Sequence, residues 1–131
     1  MAYPTGSGSE RLQRGTVNGL NNNTTALLFN GANNTTVDQV TNEVPALHII
    51  TLLNISFTEV DGNVELIKMY VECASPTDAI HLLFEQPIPG KGTFTYSEKI
   101  VLVGGDHLIC QLVTDGNVDV HYSYIDQNWE N

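Results

Sequence analysis

The sequence is poor in positive charge. Five Lys and Arg stand against 15 Asp and Glu in 131 residues, a formal net charge of −10. Such a surface repels phosphate backbones and anionic headgroups, so neither nucleic acid nor a membrane surface is an expected partner. Cysteine is scarce too: Cys73 and Cys110 each lie in a strand-like apolar run and read as reduced, buried thiols behaving as small hydrophobes. No CxxC, HxH or HExxH spacing occurs, so His48, His81, His107 and His121 do not converge as zinc ligands must; only Asp119 and His121 share a strand face. The Asp-Gly-Asn triplets at 61–63 and 115–117 are not followed by acidic residues at EF-hand spacing, which leaves them as turns. No metal or other cofactor is expected. No apolar run reaches the length of a membrane span, and the opening MAYPTGSGSERL lacks the regions of a secretory signal, so synthesis in a cytoplasm is expected.

Helix-period patterning is missing as well, and what replaces it is period two. In the last third, Ile100 and Leu102, then Leu108, Cys110 and Leu112, then Val118, Val120, Tyr122 and Tyr124 alternate as in half-buried strands. Gly104-Gly105-Asp106 and Asp115-Gly116-Asn117 break the runs, and their composition suits hairpin turns, so the segment reads as an antiparallel meander. Upstream, Leu47 to Phe57 is a long strand, continuous at first and alternating later, as when both faces are covered over part of its length. After Asp61-Gly62-Asn63 the chain returns through Val64, Leu66, Met69, Val71 and Cys73, with a parity shift near Lys68 that suggests a bulge. Ala79 to Phe84 and Thr93 to Tyr96 complete seven short strands after Pro45. The predicted fold is all-β, an antiparallel jelly roll or β-sandwich over residues 44–131.

Residues 1–43 read as an extended N-terminal arm. Residues 1–11 are small and polar, and Leu12 to Leu20 fits a short strand. From Asn18 to Asn42, 8 of 25 residues are Asn and 5 are Thr, with an echo between NNTTALLF and NNTTVDQV. Two copies make no solenoid. The arm carries Arg11 and Arg14 against Glu10, Asp38 and Glu43, a net of −1, whereas the body carries three Lys against 12 acids, a net of −9. Arg11, Leu12, Arg14, Leu20, Leu27, Leu28, Phe29, Val37 and Val40 are the candidate contact residues, because the apolar ones need a surface to cover them.

Catalytic machinery is not recognisable. Ser56, Ser97 and Ser123 have no nucleophile-elbow context, and Glu59 with Asp61 reads as a solvated edge beside a turn. The Asn-x-Ser/Thr sequons follow from Asn/Thr-rich composition. Tyr122, Tyr124 and Trp129 are the aromatics that would line a glycan groove, although terminal-strand aromatics also pack cores and interfaces.

From Val44 on, VPALHIITLLNISFTEVDGN, then YVECAS, then PIPGKGTFTYSEKIVLVGGDHLICQLVTDGNVDVHYSYID resembles the small jelly-roll virion proteins of tailed, particularly marine, bacteriophages. The opening GSGSERLQRG is similar to phage structural proteins of this kind. The resemblance implies no catalysis and attachment to a capsid, tail or neck as a homotrimer or other homo-oligomer. It places the chain in the virion, on the capsid surface after synthesis in the host cytoplasm. A capsid decoration (cement) protein docked on the major capsid protein is the leading expectation. A tail, neck or fibre component and a carbohydrate-binding module on the virion are the alternatives.

Overall fold

The computed structural model describes residues 9–29, 42–73 and 78–129. Nine strands make up the described chain: β1 Ser9–Leu20, β2 Thr25–Ala26, β3 His48–Glu59, β4 Glu65–Glu72, β5 Ala79–Ile88, β6 Thr93–Tyr96, β7 Ile100–Val103, β8 His107–Leu112 and β9 Val118–Asn128. They form two antiparallel sheets. The first runs β1-β9-β3, with β6 and β7 both on the far side of β3; the second runs β2-β8-β4-β5. Because β6 pairs with Ile55–Thr58 and β7 with Ile49–Leu52, the two act as one edge strand broken at 97–99. The sandwich thus has eight strand rows, four to a sheet, and is the predicted jelly roll.

The tight turns do different work from that expected. Asp61-Gly62-Asn63 joins β3 in the first sheet to β4 in the second. Gly104-Gly105-Asp106 joins β7 to β8, and Asp115-Gly116-Asn117 joins β8 to β9, again across sheets. None closes a hairpin, and the C-terminal meander does not exist. Turn composition supplies the conformation, as at Gly62 with φ +93°, but it does not say which sheet the next strand joins. Of the described strands, only β4 and β5 are adjacent in both sequence and sheet.

Bulges explain the irregular hydrophobic patterns. In β3, Ile50 and Leu52 face inward and then Ile55, Phe57 and Glu59 do, with the phase changing at a register shift between Leu52 and Asn54. The apparently continuous apolar run is therefore a bulge and not a stretch covered on both faces. In β4 the inward set is Glu65, Ile67, Met69 and Val71 in strict alternation, with Val64 exposed and Leu66 half-buried. The irregularity suspected near Lys68 belongs to its neighbour: β5 takes extra residues opposite Ile67 to Tyr70, and Glu85 has φ +57°.

The core fills the gap between sheets with Ile50, Leu52, Ile55 and Phe57 facing Ile67, Met69, Leu108, Cys110 and Leu112. Tyr122 and Tyr124 lie wholly inside it. Cys110 is buried and Cys73 only partly so, and both are free thiols; burial pushes the Cys110 thiol well above its ordinary pKa. Residues 9–29 are not an arm apart from this body. Strand β1 pairs with β9 from Ser9↔Asn128 to Leu20↔Val118, and Val17, Leu20, Leu27 and Phe29 belong to the same core. At roughly 1.5 to 3 kcal/mol per fully buried side chain, these residues are best covered by the open side of their own sandwich.

Candidate functional site

Strand β1 sorts its residues by parity. Gly15 and Val17 face inward, whereas Glu10, Leu12 and Arg14 are exposed on the outer face. Leu12 is 74% exposed, the most of any large apolar side chain described. Arg11 is exposed near the open end of the sandwich, and neither Arg11 nor Arg14 makes an ion pair among the described residues. Three of the residues expected at a contact surface, Arg11, Leu12 and Arg14, are thus presented on one edge strand. Gly15 lets that strand lie close on β9, because the Tyr122 ring occupies the place a β-carbon would take.

The remaining expected residues are distributed differently. Leu20, Leu27 and Phe29 are buried, Leu28 is half-buried, and Val37 and Val40 lie outside the described residues. Tyr122 and Tyr124 are fully buried and so cannot form a glycan platform. Phe29 meets both edge-on, at 5.7 and 5.0 Å between centroids. The Tyr122 hydroxyl donates to the Leu28 carbonyl at 2.6 Å and accepts from the Leu28 N–H at 3.1 Å. Burial, with Tyr124 beside it, pushes the phenol's pKa up against the lowering effect of the Leu28 bond, so it stays a neutral clamp on the 27–29 segment. Trp129 is half-buried, and its indole N–H is enclosed with no acceptor among the described residues.

Two concavities flank β1. A cleft of about 340 Å³ on the outer face is lined by Thr16, Asn18, Ser56, Thr58, Asp119 and His121 among others. Asp119 and His121 are both exposed there, but Asp119 already accepts the Gly19 N–H at 3.2 Å. Among the described residues no three His, Cys, Asp or Glu side chains come together. A second hollow, about 180 Å³, lies at the open end between Arg11, Gln13, Phe29, His48 and Asp126. Its polar floor is the His48 Nδ1–Asp126 Oδ1 contact of 2.8 Å.

Glu59 is not the solvated carboxylate expected beside a turn; it is 1% exposed. Its carboxylate accepts the backbone N–H groups of Asp61, Gly62, Asn63 and Lys91 at 2.6 to 3.1 Å. Burial alone would raise its pKa, but these four donors outweigh it and hold the group below the ordinary 4.5. Glu59 fixes the corner between β3 and β4. Sequence reading also missed a patch on β4 and β5. There Tyr70 and His81 lie 5.0 Å apart, His81 and Phe84 5.2 Å, and the Lys68 ammonium sits 5.4 Å from the Phe84 ring. Phe84 and Ile80 are exposed. The alternating pattern signalled a strand here but not which residues the β5 bulges turn outward.

No family model matches the chain, and no curated protein does. Among solved structures, the chain is similar to one in the acidic stable capsid structure of Helicobacter pylori bacteriophage KHP30 (13% identity, TM-score 0.45, 92% of this chain and 89% of that one). It is also similar to Eiger TNF from S. frugiperda (11% identity, TM-score 0.38, 92% and 93%).

Proposed function

We propose that the chain is a non-enzymatic structural protein of a bacteriophage virion, acting as a capsid decoration protein that docks on the major capsid protein and on sister copies. The observation that carries this reading is the makeup of β1, which sets two guanidinium groups with no ion pair among the described residues and a 74% exposed leucine along one edge of a sandwich with net charge −10. A cationic, apolar edge on an acidic body favours one docking orientation and repels others. The sequence resemblance to virion jelly rolls supports the setting. Binding by such an edge would stabilise the shell by mass action, since it adds affinity only to the assembled form.

The glycan-binding alternative keeps only Trp129 of its three aromatics, the two tyrosines being interior. A tail, neck or fibre location uses the same edge at lower copy number. Quantitative mass spectrometry of purified particles separates these. Copies in the hundreds per particle are expected for a shell role, whereas a dozen or fewer would overturn decoration in favour of the tail or neck.

A further inference from the structure

A jelly roll has open sheet edges, and here three of the four are interrupted. Strand β2 is two residues long. Strand β5 takes extra residues opposite β4 and contains Pro87, with Pro89 just beyond it. The β6–β7 edge is broken at 97–99. Shortness, bulges, proline and breaks are among the devices by which sheet edges avoid pairing with other chains; charged side chains are another, which a partner of complementary charge turns to its favour. Strand β1 has none of the first four between Ser9 and Val17, where its register with β9 is uninterrupted.

The side chains along this edge are complementary to themselves. We infer that β1 pairs antiparallel with β1 of a second copy about a two-fold axis at Leu12, making one continuous sheet across a homodimer. In that register Leu12 meets Leu12 of the partner subunit, Glu10 faces the partner's Arg14, and Arg14 faces the partner's Glu10. All three lie on the outer face and are exposed in the single chain. On the other face, Gln13 comes opposite the partner's Arg11. The Gln13 side-chain oxygen is enclosed and has no hydrogen-bond donor among the described residues; turned outward, it would meet a guanidinium, the donor group with most reach. A two-fold interface must be self-complementary, and each contact occurs twice. The two charge pairs, the apolar pair at the axis and the Gln–Arg pairs all follow from one choice of register.

This inference deepens the proposed role by naming the sister-copy contact, and rests on that role only for its setting; purified protein without capsids tests it. Sedimentation equilibrium at micromolar concentration should give twice the chain mass. Arg14→Glu replaces two attractive cross-strand pairs with two repulsive ones and should raise the dimer dissociation constant roughly tenfold to a hundredfold. Glu10→Arg combined with Arg14→Glu restores the pairing in reverse and should return the constant to near the parental value. All three proteins should keep the same circular dichroism, since the changed residues are exposed. A parental monomer or trimer, a single variant that dimerises unchanged, or a double variant as weak as the single one would overturn the inference. A dimer that fails to bind particles would leave the pairing standing and refute the decoration role.

Discussion

Replacing Tyr122 with Phe removes one oxygen from the centre of the sandwich and little else. The ring stays over Gly15 and keeps its neighbours, Phe29 at 5.7 Å and Tyr124 at 5.9 Å. Lost are the hydroxyl's bond to the Leu28 carbonyl at 2.6 Å and the bond it accepts from the Leu28 N–H at 3.1 Å. A net intramolecular hydrogen bond contributes about 0.5 to 1.5 kcal/mol, so two should cost about 1 to 3 kcal/mol. Water cannot readily replace the hydroxyl, because Tyr122 has no exposure and Leu27 and Phe29 flank the clamp from the core. In a chain of this size that loss lowers Tm by roughly 4 to 12 °C. Urea titration should show a lower midpoint with an unchanged slope, because the surface exposed on unfolding is the same. A cost below about 0.5 kcal/mol, within the range of neutral surface changes, would refute the reasoning. The 27–29 segment would then be held by apolar packing alone.

Two further outcomes follow from the same architecture. Glu59 has a folded pKa below its ordinary 4.5, so the stability it contributes is complete above that value and is lost as pH falls through the depressed one. Urea midpoints of the parent should drop between about pH 5 and pH 3; Glu59→Gln should be less stable at neutral pH and flatter across that range, and parallel curves would rule out this carboxylate as the cause. Removal of residues 1–29 should leave an unfolded or aggregating chain by circular dichroism and size exclusion, since it strips β1 from β9 and takes Leu20, Leu27 and Phe29 from the core; a soluble, folded remainder would restore the reading of this region as a separate arm.

The strands were legible because a half-buried strand writes its period into the sequence. All seven after Pro45 are present, including the short Thr93–Tyr96. What the sequence did not carry was the partner of each strand. Asp-Gly-Asn reports a reversal of direction, and the same residue types suit a hairpin and a reversal into the opposite sheet alike. The Asn/Thr-rich composition around Leu20, Leu27 and Phe29 suggested a segment too polar to build a core. It has only to complete one, and three apolar side chains placed between existing sheets are sufficient. Arg11, Leu12 and Arg14 were singled out as contact residues, and the structure exposes all three. Tyr122 and Tyr124 alternate as interior residues do, but alternation alone does not say which face is inside. Glu59 was misread because its partners are backbone N–H groups, one of them at Lys91, 32 residues away.

The pairing of β1 with β9 has a consequence for when the molecule becomes itself. As the chain emerges from a ribosome, Ser9 to Leu20 appears long before its register partners, Val118 to Asn128. Strand β3 can pair with β6 and β7 sooner, but its other neighbour is this same segment, which lies between β1 and β3 in the finished sheet. Of the described strands, only β4 pairs with its immediate successor in the chain, β5. Non-local pairing of this kind folds slowly and must draw distant parts of the chain together first. The strand that would meet another copy is therefore not held flat, with Leu12 and Arg14 in their places, until the whole sandwich has closed. A chain that still lacks Val118–Asn128 does not hold β1 in its place in the sheet, so pairing through β1 would follow closure of the sandwich.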